Sequence, residues 1–155
     1  MKKLVTSLFI IMCVFLVSAC TKPSEKTLKC SLYNKDVISN YELDSTYEVT
    51  YKGNIVSKVK STETVISNDS EILDYFNEYL NSSYTTMNEN YGGYDFTVKK
   101  QDEKVIATTI IDYNKLDLNK LAKDQPTFKS SLDSKGNLTL TGIKQLYSEL
   151  GANCE

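Results

Sequence analysis

The sequence predicts an α+β domain: a mainly antiparallel β-sheet, built from two hairpins plus a leading strand, covered by two main helices. Three observations lead there. Several runs alternate apolar and polar residues with period two, as half-buried strands do. Two longer runs space their apolar residues three and four apart, as helices do. Polar turn residues with glycine or asparagine separate these runs.

The leading strand is Leu28, Cys30 and Leu32, alternating with polar residues. Asn34 to Asn40 breaks that pattern. Leu43, Tyr47, Val49 and Tyr51 then share one face, and Ile55, Val59 and Val65 share one on the next run. Joining the two faces takes an odd-length loop. Lys52-Gly53-Asn54 supplies it, setting Tyr51 opposite Ile55 and Tyr47 opposite Val59.

Asn68 followed by Glu71 has the form of a capping box. Ile72, Leu73, Phe76, Leu80, Tyr84 and Met87 recur behind it at helical spacing. This helix is expected to reach Glu89 and stop before Gly92-Gly93. Tyr94, Phe96 and Val98 alternate again, and Val105 to Tyr113 is rich in β-branched residues. A polar turn at Lys100 to Glu103 makes these the second hairpin, aligning Val98 with Val105, Phe96 with Ala107 and Lys100 with Glu103. Asp117 to Ala122 reads as one or two helical turns. Pro126 is expected to end regular structure, with 130–137 a polar loop. Thr139 can cap a last helix over Leu140, Ile143, Leu146, Tyr147 and Leu150, with Gly151 as its stop.

The N-terminus has a different logic. Lys2 and Lys3 precede an uncharged run from Leu4 to Val17, and Ser18, Ala19 and Cys20 follow. The run is short for a membrane-spanning helix and has the length of a signal-peptide core. Leu16, Val17, Ser18, Ala19 and Cys20 resemble the lipobox of bacterial lipoproteins. That resemblance implies a diacylglyceryl thioether on Cys20 and cleavage before it. An ordinary secretory leader and an uncleaved anchor are the competing readings. Two acyl chains hold a protein at a membrane stably where one does not. The expected division is therefore 1–19 signal peptide, 20–27 lipidated cysteine and flexible tether, and 28–155 a single domain. The protein is placed at the cell membrane, with its domain on the extracytoplasmic side.

Removing residues 1–19 leaves 136 residues, enough for one domain with a core. Sixteen lysines then face twenty acidic residues, a formal charge of −4. This balance argues against a nucleic-acid partner. All basic residues are lysine, so no guanidinium fork is available for bidentate recognition. The chain has no histidine, which removes the commonest general base and metal ligand. Cys13 leaves with the signal peptide and Cys20 carries lipid. Cys30 and Cys154 remain as an even pair outside the cytoplasm, read as a disulfide. Two cysteines without histidine cannot fill a structural zinc site.

The order of parts resembles a known family. The lipobox is followed by Tyr51-Lys52-Gly53-Asn54-Ile55-Val56, a mid-chain helix, and Ile110-Ile111-Asp112-Tyr113 leading to Leu116-Asp117-Leu118. Leu138-Thr139-Leu140 and a helix ending at Leu150-Gly151-Ala152 close the chain. This looks like the YehR-like lipoproteins, a bacterial family built around a domain of unknown function. The resemblance covers most of 28–152. It implies a small exported α+β domain on a lipid anchor and supplies no catalytic residue.

Candidate chemistry is sparse. Asp112, Asn114 and Asp117 lack the glycine and closing glutamate of a calcium loop, and read as a strand-to-helix connection with a capping aspartate. Asp133-Ser134-Lys135-Gly136-Asn137 reads as a turn. No serine or threonine has a histidine to activate it, so no catalytic residue, metal or cofactor is expected. The chain has eleven tyrosines. Tyr91 and Tyr94 flank Gly92-Gly93 and are candidate binding residues, against the plainer reading of Tyr94 as core and the glycine pair as a helix stop. The expected function is a membrane-anchored binding or interaction module for an unknown small ligand. The alternative is an accessory envelope lipoprotein that docks on a membrane or cell-wall protein complex.

Overall fold

Six strands form one open sheet in the order β4-β5-β3-β2-β1-β6, with every neighbouring pair antiparallel. They are β1 (Glu25–Asp36), β2 (Tyr41–Lys52), β3 (Ile55–Ile66), β4 (Tyr94–Gln101), β5 (Lys104–Asp112) and β6 (Asn153–Cys154). The helices are α1 (Ser70–Tyr91), α2 (Leu118–Asp124), α3 (Pro126–Lys129) and α4 (Leu140–Glu149). The expected α+β class, with two main helices, is the observed one. The computed structural model describes residues 24–155. Leu16, Val17, Ser18, Ala19 and Cys20, and the start of the tether, lie outside the described residues. Among the described residues no helix is long and apolar enough to cross a membrane.

The leading strand is longer than alternation suggested. β1 begins at Glu25, inside the expected tether, because Glu25 to Thr27 pair with Thr50 to Lys52 of an equally long β2. The two strands form a hairpin of their own, turning through 37–40, with Asn40 at φ 55°.

Both expected hairpins slide by two residues. In the body of β2 and β3, Tyr47 pairs with Ser61 and Val49 with Val59, where Tyr47 opposite Val59 was expected. The turn is the two residues Gly53 and Asn54, and the pairing skips Ser57 as a bulge. An extra residue on one strand restores the parity that a two-residue turn would break. It also turns Val56 inward, at 3% exposure, and leaves Ile55 at 38%, off the Val59 face. In β4 and β5, Val98 pairs with Ala107 and Phe96 with Thr109, around a turn at Asp102-Glu103. Lys100 therefore faces Val105 rather than Glu103, and its Nζ reaches Asp74 of α1 at 2.6 Å. A slip of two keeps each side chain on its face, so alternation alone does not choose between these registers.

Helix ends follow their caps. α1 is capped by Asp69 rather than Asn68: Asp69 Oδ1 accepts from the Glu71 N–H at 2.9 Å. It stops at Gly92, at φ 70°, whose N–H donates to the Asn88 carbonyl at 2.8 Å. Asp117 caps α2, accepting from the Lys120 N–H at 2.9 Å. Pro126 opens α3 instead of ending regular structure, since the first turn of a helix leaves its N–H unused in any case. Thr139 Oγ1 caps α4, accepting from the Gly142 N–H at 2.9 Å.

β6 was not anticipated. It adds an edge strand beside β1, pairing Cys154 with Cys30 and Asn153 with Ser31. The Cys30 and Cys154 sulfurs sit at disulfide distance, 2.05 Å.

Two apolar clusters hold the layers together. The larger joins Leu28, Val49, Val56 and Val59 of the sheet to Leu121, Phe128, Leu138 and Ile143 under α2–α4. The smaller is Val65, Leu73 and Val105, with Phe76 and Leu80 against it, under the first half of α1. Both lie on the same side of the sheet, because 59 and 65 share one face of β3.

Candidate functional site

The inner face of the sheet changes character between the two clusters. Val59 and Val65 are fully buried. Between them on the same face come Ser61 and Glu63. Cross-strand pairing sets Ser61 between Tyr47 and Thr109, and Glu63 between Ser45 and Ala107. The floor is thus apolar at both ends and small or polar in the middle.

Above that middle the helices leave a cleft of about 540 Å3. α1 lines one wall with Tyr79, Leu80, Ser83, Tyr84 and Met87. The opposite wall is Ile143, Leu146 and Tyr147 of α4 and Leu150 just beyond it, with Phe128 of α3. Tyr47, Ser61, Glu63 and Ile111 reach it from the floor. The size lies within the range of small-molecule sites, and so does the mixture of apolar wall and a few polar groups. Tyr47 and Tyr147 stack with ring centroids 4.4 Å apart, planes 25° from parallel. Tyr84 rests on Phe96 at 5.5 Å, so the ring is braced from behind. Tyr94 and Tyr113 complete a set of six tyrosines on the cleft.

Glu63 is a half-buried carboxyl among these rings. Burial pushes its pKa up, and the Tyr84 hydroxyl beside it pulls part of the way back. Burial likewise raises the Tyr84 and Tyr147 phenols far above their usual range, with the Glu63 charge adding to both. The Tyr84 hydroxyl also lies against Thr109, but without the geometry of a bond. The buried Thr109 Oγ1 has no hydrogen-bond partner among the described residues.

The Glu63 shift has a definite sign for stability. A raised folded-state pKa means the folded protein favours the neutral carboxyl. That stability is complete below the unfolded value, about 4.3, and is lost as pH rises through the folded value. Glu63→Gln keeps the shape without the charge. Its unfolding midpoint is expected to exceed that of the parent at pH 7, and the two midpoints should converge as the pH falls below about 4. Asp36, Glu42 and Asp133 run the opposite way, their carboxyls held low by hydrogen bonds to Ser39, Lys35 and Asn137. They are common to both proteins and cancel in the difference.

The structure separates the two candidate tyrosines. Both pack on the larger cluster, but Tyr94 also lines the cleft. Tyr91 instead ties α1 to α2: its hydroxyl donates to Asp124 Oδ2 at 3.2 Å, and Lys120 Nζ lies 5.6 Å over its ring. The glycine pair is structural. Gly93 is at φ 77°, and a Cβ there would sit 2.9 Å from the Asp112 carbonyl oxygen. Asp112 accepts from the Asn114 N–H at 3.1 Å and Asp117 is a cap, as their spacing suggested. Among the described residues no group of three or more His, Cys, Asp or Glu is placed to hold a metal.

Glu63 escaped the reading of alternation, which named Val59 and Val65 and passed over the positions between them. The signal was present. Residues 59, 61, 63 and 65 share a face, and a glutamate two residues from a buried valine is out of place on a core-facing strand.

No family model matches the sequence. No curated protein matches it either. Among solved structures, the NMR structure of the E. coli YehR protein superposes with a TM-score of 0.55 at 20% identity, over 85% of this chain and 91% of that one. An NMR structure of a protein from Streptococcus pneumoniae TIGR4 aligns over 89% of each chain at 16% identity, with a TM-score of 0.49. The domain is therefore similar to YehR in fold.

Proposed function

We propose that this chain is a lipid-anchored binding protein of the bacterial cell envelope, with its domain on the extracytoplasmic side and its ligand seated between α1 and α4. The cleft carries the reading: a concave, tyrosine-rich site over a polar floor that the packing of neither helix requires. Lys2-Lys3, the short apolar run and the Cys20 lipobox support the anchor. A cysteine pair at disulfide distance suits an oxidising compartment. The likeness in fold to YehR is what membership of the YehR-like lipoproteins would produce.

Two experiments test the two halves. Cys20→Ala should release the protein from the membrane fraction and abolish processing before residue 20. A variant that stays membrane-bound and processed at the same site refutes the anchor. For the cleft, thermal unfolding of the full chain in detergent is followed across amines, sugars, wall fragments, peptides and lipids. A ligand at about 100 times its dissociation constant stabilises by about 2.7 kcal/mol, which moves the midpoint by several degrees. A flat panel counts against a small-molecule site and favours the accessory reading, in which a protein partner occupies the domain.

A further inference from the structure

The cleft is acidic as well as aromatic, and nothing in it balances the acid. Its two charged lining residues are Glu63 on the floor and Glu149 on the rim, and no lysine lines it. The sequence has neither arginine nor histidine. The four ion pairs among the described residues all lie elsewhere, at Lys29–Glu48, Lys35–Glu42, Lys100–Asp74 and Lys115–Asp112. A half-buried carboxylate among aromatic rings, without a cationic partner, is costly to keep charged. Replacing Glu63 by a neutral residue would remove that cost, so its presence calls for a partner that arrives from outside.

The surroundings describe that partner. Ring faces of tyrosine attract cations through their negative quadrupole, most strongly where water is excluded. Tyr84 and the stacked Tyr47–Tyr147 pair offer such rings around Glu63. Ser61 and Ser83 add hydroxyl oxygens to the lining. Leu80, Met87, Ile143 and Leu146 give the rest of the cleft an apolar lining. One ligand chemistry answers all four features. A carboxylate takes the charge, aromatic faces share it, hydroxyl oxygens accept N–H bonds, and apolar walls take an aliphatic tail.

We propose that the α1–α4 cleft binds an organic primary ammonium, with the –NH3+ head on Glu63 and a short aliphatic tail between Leu80, Met87 and Leu146. This rests on the reading of the cleft as a ligand site and names its ligand class. A quaternary ammonium would meet the rings but leave the floor acceptors without N–H donors. An anionic or neutral ligand of the same shape leaves Glu63 uncompensated.

The pH dependence follows from Glu63. The groups facing it are Ser45 and Tyr47 of β2, Ala107 and Thr109 of β5, Tyr84 of α1 and Tyr147 of α4. Burial pushes the phenols upward, away from the acid range, so among the groups facing the head Glu63 is the one that loses its charge as the solution is acidified. Affinity for an ammonium should fall as the solution is acidified and Glu63 takes up its proton.

The test is titration calorimetry of the full chain in detergent with n-butylammonium, n-butanol, butyrate and butyltrimethylammonium as probes. Butylammonium is expected to bind saturably and at least tenfold more tightly than each of the other three. Glu63→Gln should weaken it at least tenfold while unfolding as cooperatively as the parent, and run in the same detergent it also controls for partition into micelles. Equal binding of butylammonium and butanol, or an undiminished Glu63→Gln variant, overturns the ammonium proposal, and so does the absence of saturable butylammonium binding. The cleft reading survives each of those results if another ligand of the panel shifts the unfolding midpoint, and falls only with a flat panel.

Discussion

Replacing Cys30 and Cys154 together by alanine should lower the stability of the domain by about 4 to 5 kcal/mol in the chain-entropy model. The two cysteines are 124 residues apart in sequence, so the bond closes nearly the whole domain into one loop. The size of the effect comes from the unfolded chain, which loses most of its freedom when its ends are tied. The native side adds to it. Cys30 is buried in the larger cluster, and Cys154 is half of a two-residue strand whose backbone bonds are confined to the sheet edge. The Glu155 N–H donates to the Lys29 carbonyl at 2.8 Å, and the Lys29 N–H returns the bond at 3.2 Å. A strand this short should fray without the covalent link, freeing the C-terminal end of α4 and with it one wall of the cleft. Denaturant unfolding measures the loss. Adding reductant to the parent should reproduce it, and adding reductant to the double variant should change nothing. Insensitivity of the parent to reductant would show that the pair is not bonded in the folded protein.

Leu138→Ala is the second large effect, expected at about 2 to 5 kcal/mol. Leu138 is at 0% exposure and is the largest of the fully buried side chains. It belongs to no main element, yet it fastens α4 to the sheet. Its carbonyl accepts from the Val56 N–H at 2.9 Å, and the next N–H but one, from Leu140, donates to the Asn54 carbonyl at 2.9 Å. Those bonds dock the start of α4 on the turn between β2 and β3, and the leucine fills the space beneath. Truncation leaves a cavity at the joint between the two layers, where collapse would have to move α4 as a body. The loss should therefore appear both in the unfolding midpoint and in weaker ligand binding. A loss below about 1 kcal/mol would mean that the joint repacks readily.

Period-two patterning made the strands legible, and capping residues made the helices legible. Asp117 and Thr139 cap as their spacing suggested, and the α1 cap moved by a single residue, from Asn68 to Asp69. Registers were less legible. Pattern decides which face a residue takes, but the bulge at Ser57 and the tight turn at Asp102-Glu103 decide which partner it meets. The turn leaves no mark in the alternation, because a slip of two changes no face, whereas the bulge breaks it, burying Val56 rather than Ile55 with Val59. β6 was illegible for a related reason. Two residues carry no periodicity, and only the pairing of Cys154 with Cys30 reveals the strand.

The site was half legible. Tyr94 was named, and so was the apolar stripe of α1 that forms a wall. The floor was not, although its residues alternate correctly, because a reading that follows apolar residues passes over Glu63 and Ser61. A cleft between two helices also depends on how far apart they dock. Leu138 and the covalent tie at β6 hold the two ends of α4, and neither contact shows in the apolar stripe of that helix.

The measurement that bears most directly on the central claim is where a ligand binds. Methyl NMR of the full chain in detergent, titrated with whichever panel compound raises the unfolding midpoint, reads Met87, Leu80, Ile111, Ile143 and Leu146 at once. All five line the cleft. Shifts concentrated on these methyls, and small at Leu28 and Val105 in the cores on either side, are the expected result. Shifts spread over the outer surface with the five unmoved would contradict the account, and place the binding surface of this domain somewhere other than between α1 and α4.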